Sequence, residues 1–258
     1  MRALVTGAGK RLGRAMALEL GRAGYDVAVH YAGSKAAAEE VAAEIRAMGQ
    51  RAEAVRADLL IEAEMQMLVP AAVEVLGGPL TVLVNNASIF EYDDVETGDR
   101  ESWDRAMESN LRAPVVLTQA MAAQAPAAML DAQAEPVAQA LVVNMIDQRV
   151  RKLTPAFMSY TIAKMGLWAF TQTAAQALAP NVRVNAIGPG PTLQGAQQTA
   201  AQFARQRATT ILGRGANEGD ITGALRYFLG APGVTGQLIC VDGGQHLAWQ
   251  TPDVMDVE

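Results

Sequence analysis

The first 31 residues constrain the chain most. An apolar run at 3–5 leads into Gly7, Gly9 and Gly13, and Leu12, Ala15, Met16, Leu20 and Ala23 follow at helical spacing. Gly24 ends that helix, and residues 25–31 form a second β-rich run. A glycine turn means little alone, but it gains meaning inside a strand–helix–strand unit of about thirty residues such as this one. Glycines let backbone approach a pyrophosphate closely, and a helix N-terminus adds free N–H groups and the positive end of its dipole. The unit predicts dinucleotide binding, with Gly7, Lys10, Arg11, Leu12 and Gly13 around the phosphates.

A site for NAD usually places an acid at the end of the second strand, where it accepts from the ribose 2′-hydroxyl. Here that end reads VAVHYAGS, with His30 and Tyr31 and no carboxylate. Lys10 and Arg11 are placed to meet an additional phosphate, although the plainer reading leaves them as solvated turn residues. Ser34 could donate to that phosphate, cap the next helix, or do both. NADPH is the expected cofactor.

The alternation then continues to the end of the chain. Residues 36–48 read as an amphipathic helix closed by Gly49, and 51–57 as a third strand ending at Asp58 and Leu59. Asp58 could accept from an adenine amine or cap the following helix, 62–76. Met65 and Met67 in that helix read as core filler. A buried strand at 80–84 is broken by NNAS, whose Asn86 can bond a cofactor ribose. Phe90 in the loop beyond is either packing or a surface on which a flat ring stacks. Residues 100–124 read as one long helix, with a kink where Asn110 and Pro114 interrupt it. Residues 125–135 read as a loop or frayed helix end. Strands at 141–145 and 182–187 flank a helix at 155–179. Residues 188–216, which open with Pro189 and Gly190, read as a loop and helix covering a site. A helix at 218–229 and a last strand in LICVDGG complete the series, and the tail from Ala248 reads as an exposed arm or subunit contact.

No linker or repeat divides the pattern, so residues 1–258 are expected to form one α/β domain, a doubly wound parallel sheet of about seven strands flanked by helices. In such sheets ligands sit at the carboxyl ends of the strands. Gly7, His30, Asp58, Asn86, Asp147 and Pro189 all stand at strand ends. With half of the 258 residues apolar, a large core is available. A scattered net charge of −6 speaks against nucleic acid as a partner. The single cysteine, Cys240, reads as a strand residue, and its solitude suits a reducing compartment. No apolar run approaches the ~20 residues that cross a bilayer. The first strand is expected from Arg2 with no signal peptide ahead of it, which suggests a cytoplasmic protein. No metal site is expected.

Residues 144–164, NMIDQRVRKLTPAFMSYTIAK, hold the chemistry. Tyr160 and Lys164 are four apart and share a helix face. An ammonium beside a phenol is expected to lower the phenol pKa from about 10 toward neutrality. Asp147 follows a buried strand, thirteen residues before the tyrosine.

Together TGAGKRLG, NNAS, YTIAK and NAIGPGP resemble, in order and over nearly the whole length, the short-chain dehydrogenase/reductase family. The resemblance implies a Rossmann-type NAD(P)-dependent oxidoreductase. Tyr160 would be the acid/base, Lys164 its helper and a ribose ligand, and Asn110 the anchor of a proton-relay water. Ala87, Ser88, Asn144, Tyr160, Pro189 and Gly190 would join the cofactor set. Two positions depart from the family pattern. Arg11 replaces a glycine, and Asp147 replaces the usual catalytic serine. An ionised carboxylate there would repel an oxyanion, so the substrate fits better as a C=N bond that needs a proton on nitrogen. Both departures resemble the pteridine reductase branch, as do HY and NASIF. That branch implies a pterin held by Phe90, Ser88, Arg11, Asp147 and Tyr160, with Asp58 and Leu59 at the adenine, in a homotetramer. The branch can carry a basic residue just before Ser34, where Ala32 and Gly33 stand here. A carbonyl reductase of the 3-oxoacyl or sugar-alcohol type and a non-enzymatic nucleotide sensor are the competing readings.

Overall fold

Runs that are apolar on both faces belong to strands covered on both sides, and the central strands, at 2–5, 26–31, 82–85, 140–145 and 182–189, are mostly buried in that way. The computed structural model describes residues 1–195 and 198–250. The first half contributes β1 (Arg2–Val5), α1 (Arg11–Arg22), β2 (Asp26–Tyr31), α2 (Lys35–Ala47), β3 (Ala52–Arg56), α3 (Glu62–Leu76), β4 (Val82–Asn85), α4 (Arg100–Met107) and α5 (Ala113–Gln124). The second contributes β5 (Met129–Leu130), β6 (Pro136–Val137), β7 (Ala140–Met145), α6 (Met158–Leu178), β8 (Val182–Pro189), α7 (Ala200–Ala208), α8 (Glu218–Gly230) and β9 (Leu238–Val241). Seven strands pair in parallel in the order β3-β2-β1-β4-β7-β8-β9. The direction of winding reverses between β1 and β4, the point at which sheets of this kind place their ligand crevice at the strand ends.

Each sheet face has its own core. On one side Met16, Leu20, Val41, Ile45, Leu225 and Phe228 pack beneath α1, α2 and α8. On the other Met65, Leu68, Leu76, Leu117 and Met121 pack beneath α3 and α5. Met65 is core as expected, but Met67 points to solvent at 61% exposure.

Two expected element boundaries are corrected. The helix expected from 155 begins at Met158, because Phe157 adopts φ +60° and breaks the helical run. The segment 125–135 is not simply loop, since β5 pairs with β6 in a small antiparallel hairpin. The expected kink in 100–124 is a π-turn at Glu108–Arg112. It adds a residue to the turn and shifts the buried stripe to Ala113, Leu117, Thr118 and Met121 on α5. Residues 188–216 contain a helix as expected, α7, none of whose side chains is fully buried. Of the tail, Trp249 is exposed, and residues 251–258 lie outside the described residues.

Candidate active site

The glycine turn is built for close approach. A Cβ on Gly13 would fall 2.2 Å from the Gly7 carbonyl oxygen, so no other residue fits, and Gly7 itself sits at φ +61°. Thr6 Oγ1 accepts from the backbone N–H groups of Asn86 and Ala87, at 2.8 and 2.9 Å. Asn86 Nδ2 donates to the Thr6 carbonyl at 2.8 Å and to that of Gly7 at 3.3 Å. Its amide donors thus fasten the turn to the end of β4 rather than point to a ribose.

Arg11 replaces a glycine and keeps a glycine-like backbone, at φ +54°. Its guanidinium donates to the carbonyls of Gln194 and Leu193, at 2.8 and 3.2 Å, and so ties the turn to the loop after β8. Lys10 stands exposed at the N-cap of α1, and Leu12 packs on the core.

His30 behaves differently from expectation. It is 1% exposed, its Nδ1 accepts from Gly7 N–H at 2.9 Å, and its Nε2 faces the Ala57 carbonyl at 3.0 Å. With Nδ1 accepting, Nε2 must carry the proton. Burial pushes its pKa down to about 4, so the ring is neutral. Both nitrogens are spent on backbone, and His30 supports the turn instead of contacting a cofactor directly. Asn144 is likewise fully buried, accepting from Asn85 Nδ2 and donating to Thr171 Oγ1. Tyr31 is half-buried against the same core. Ser34 occupies the N-cap of α2 without a side-chain capping bond, which leaves its hydroxyl available. Asp58 does not cap α3, whose N-cap is Ile61; its carboxylate accepts from Leu60 N–H at 3.0 Å, beside buried Leu59. Gly190 lets the end of β8 lie against Asp242, where a Cβ would meet the Asp242 Cβ at 2.5 Å, and Pro189 ends the strand.

Across the crevice, Tyr160 OH donates to Asp147 Oδ2 at 3.1 Å, and Arg149 N–H donates to Asp147 Oδ1 at 2.8 Å. Lys164 Nζ donates to the Met145 carbonyl at 2.8 Å and lies 5.5 Å from the Tyr160 ring centre. Desolvation dominates all three groups. It raises the Asp147 pKa and lowers that of Lys164 to about 8. Tyr160 is pushed well above 10, by burial first and the Asp147 charge second. The expected lowering of the phenol by Lys164 is therefore reversed, and Tyr160 keeps its proton at neutral pH.

Asn110 sits fully buried in the π-turn. Its Oδ1 accepts from Ser88 Oγ at 2.6 Å and from Ile89 N–H at 3.2 Å, and its Nδ2 donates to the Ile89 carbonyl at 2.9 Å. It clamps the loop that presents Phe90. That ring stacks on Phe157, with centroids 4.2 Å apart and planes at 9°, and meets Tyr160 edge-on at 4.7 Å. Arg149 lies 5.2 Å from the Phe157 ring centre. Among the described residues no cluster of His, Cys, Asp or Glu could hold a metal, and no helix is long and apolar enough to cross a membrane.

Residues 1–205 match the family model for short chain dehydrogenases. The chain belongs to the short-chain dehydrogenase family. It is similar to the 3-oxoacyl-[acyl-carrier-protein] reductase FabG of Staphylococcus aureus, 32% identical over 250 residues that cover 95% of this chain and 98% of that one. Among solved structures it resembles FolM alternative dihydrofolate reductase 1 from Brucella suis in complex with NADP, with TM-score 0.90, 43% identity and 98% of each chain covered. It also resembles the angucycline C-6 ketoreductase LanV with bound NADP, with TM-score 0.85, 29% identity and 96% of each chain covered. Within this family of oxidoreductases, the sequence picks out Asp147, Tyr160, Lys164 and Asn110, and the structure brings all four to one crevice with Ser88 and Phe90. Sequence reasoning missed Phe157, Tyr92, Arg149 and Asp93. Phe157 lies three residues before Tyr160, so local spacing held a signal. Arg149 is also local, two residues beyond the Asp147 it bonds, whereas Tyr92, edge-on to Phe157, and Asp93, bonded to Ser159 N–H, enter by contacts distant in sequence.

Proposed function

We propose that this chain is an NADPH-dependent reductase of a C=N bond in a pterin of the dihydrobiopterin, dihydromonapterin or dihydrofolate class. The observation that carries it is the hydrogen bond between Tyr160 and Asp147, two buried acids whose pKa values are both raised. A phenol that keeps its proton, bonded to a carboxyl whose own pKa is raised, suits delivery of a proton to a ring nitrogen as hydride reaches the neighbouring carbon. The same carboxyl, ionised, would oppose an oxyanion in a dry site. The likeness to FolM and the NADP held by that relative support the reading.

The cofactor, when bound, supplies the hydride. The residues fit it, since the Gly7–Gly13 approach leaves backbone bare for a pyrophosphate at the start of α1. Ser34, Lys10 and Arg11 would meet the 2′-phosphate and diphosphate, Asp58 and Leu59 the adenine, and Lys164 the nicotinamide ribose. Phe90 would hold the flat ring, Ser88 and Arg11 its polar edge, and Tyr160 with Asp147 would release the proton. The segment 188–216 would exclude water. A cytoplasmic homotetramer goes with this reading.

The likeness to FabG favours a second reading, reduction of a 3-oxoacyl carbonyl. One assay separates them. Loss of NADPH absorbance should be seen with 7,8-dihydropterins and be weak with 3-oxoacyl thioesters and ketones; turnover of the ketones alone would overturn the pterin reading.

A further inference from the structure

Tyr160 stands in the first turn of α6, two residues after Met158. The first turn is where helices fray, because its N–H groups have no partner within the helix. The helix brings no cap of its own. Phe157 holds the N-cap position without a side-chain acceptor, and the first turn carries no acid.

The cap comes from elsewhere. Asp93 is 3% exposed, and its two carboxylate oxygens accept from Ser159 N–H at 3.1 and 3.3 Å. Its backbone carbonyl accepts from Met158 N–H at 3.2 Å. A buried carboxylate is costly unless it is bonded, and among the described residues the backbone N–H of Ser159 is the only donor to the Asp93 side chain. It also supplies the negative charge that the start of a 21-residue helix favours. Asp93 belongs to the loop that carries Phe90, three residues earlier, whose ring touches both Phe157 and Tyr160. A neighbouring carboxylate, Asp94, closes the loop itself by accepting from Glu96 N–H at 3.0 Å and Thr97 N–H at 2.9 Å. The two acids therefore divide the work between loop and helix.

We infer that Asp93 is the positioning residue for the proton donor, a cap supplied from a distant loop of the same chain that registers the Phe90 loop and Tyr160 to each other. Lys164 lies a full turn further in and is held separately by the Met145 carbonyl, so cofactor binding does not depend on this contact. The inference rests on Tyr160 as proton donor, which both readings of the function share.

The test uses the full chain with NADPH bound and two variants. Asp93→Ala should speed hydrogen exchange of the 157–163 amides and lower kcat about tenfold or more, with the Kd for NADPH within about twofold of wild type. Asp93→Asn keeps a carbonyl acceptor and should restore slow exchange and most of kcat. Wild-type exchange and kcat in Asp93→Ala would overturn the inference. So would loss of NADPH binding in step with kcat, or an Asp93→Asn variant no better than Asp93→Ala. The exchange measurement needs no substrate, so it stands apart from the identity of the compound reduced.

Discussion

At Asp147 a carboxyl group is withdrawn from water beside a phenol, and both acids hold their protons more tightly. Asp147→Ser should lower kcat on a dihydropterin by about a hundredfold or more and leave NADPH affinity nearly unchanged, as steady-state kinetics and cofactor titration would show. Activity of the parent should fall as pH rises through the raised Asp147 pKa, since the proton to be delivered is then lost. His30 gives the opposite kind of dependence, in stability. Its folded pKa of about 4 lies below the ordinary 6.5, so between those values the unfolded chain binds more protons. Stability should therefore drop as pH falls through that window, by roughly 3 kcal/mol at full effect. Urea midpoints at pH 7 and pH 5 would measure it, and His30→Gln should flatten the slope.

Among the elements, the glycine turn and α6 were legible because their signals are local. The spacing of Gly7, Gly9 and Gly13 and the four-residue step from Tyr160 to Lys164 belong to single turns of chain. The Asn110 and Pro114 pair announced a disturbance, and the π-turn is its form. What stayed hidden depends on contacts across the sheet. His30 reads as a cofactor residue until Gly7 and Ala57 are seen to occupy its nitrogens. Lys164 was expected to govern Tyr160, but burial is a property of the assembled crevice and outweighs one charge. The turn also permits a sharp prediction. Gly13→Ala places a methyl 2.2 Å from the Gly7 oxygen, on backbone that cannot move aside without shifting the start of α1. NADPH affinity should fall at least about tenfold, read by quenching of protein fluorescence, while the sheet still forms.

Over the whole molecule, Arg11 joins the first turn of the chain to residues 193–194 of the loop after β8. Its left-handed backbone costs about 1 kcal/mol, and a glycine there would lose about as much through its freer unfolded state. Arg11→Gly should thus leave the melting temperature within a few degrees while amide exchange around 193–195 quickens and KM for the pterin rises. Cofactor crevice and loop would be uncoupled without loss of fold. The fastening of Thr6 to Asn86 has a different consequence, one that concerns synthesis. The glycine turn is encoded in the opening residues, yet its anchor comes eighty residues later and its Arg11 partner almost two hundred later. A chain emerging from the ribosome therefore carries an unfinished turn until β4 has been translated. Truncations ending before Asn86 should bind no dinucleotide, however well the first strand, helix and strand have formed.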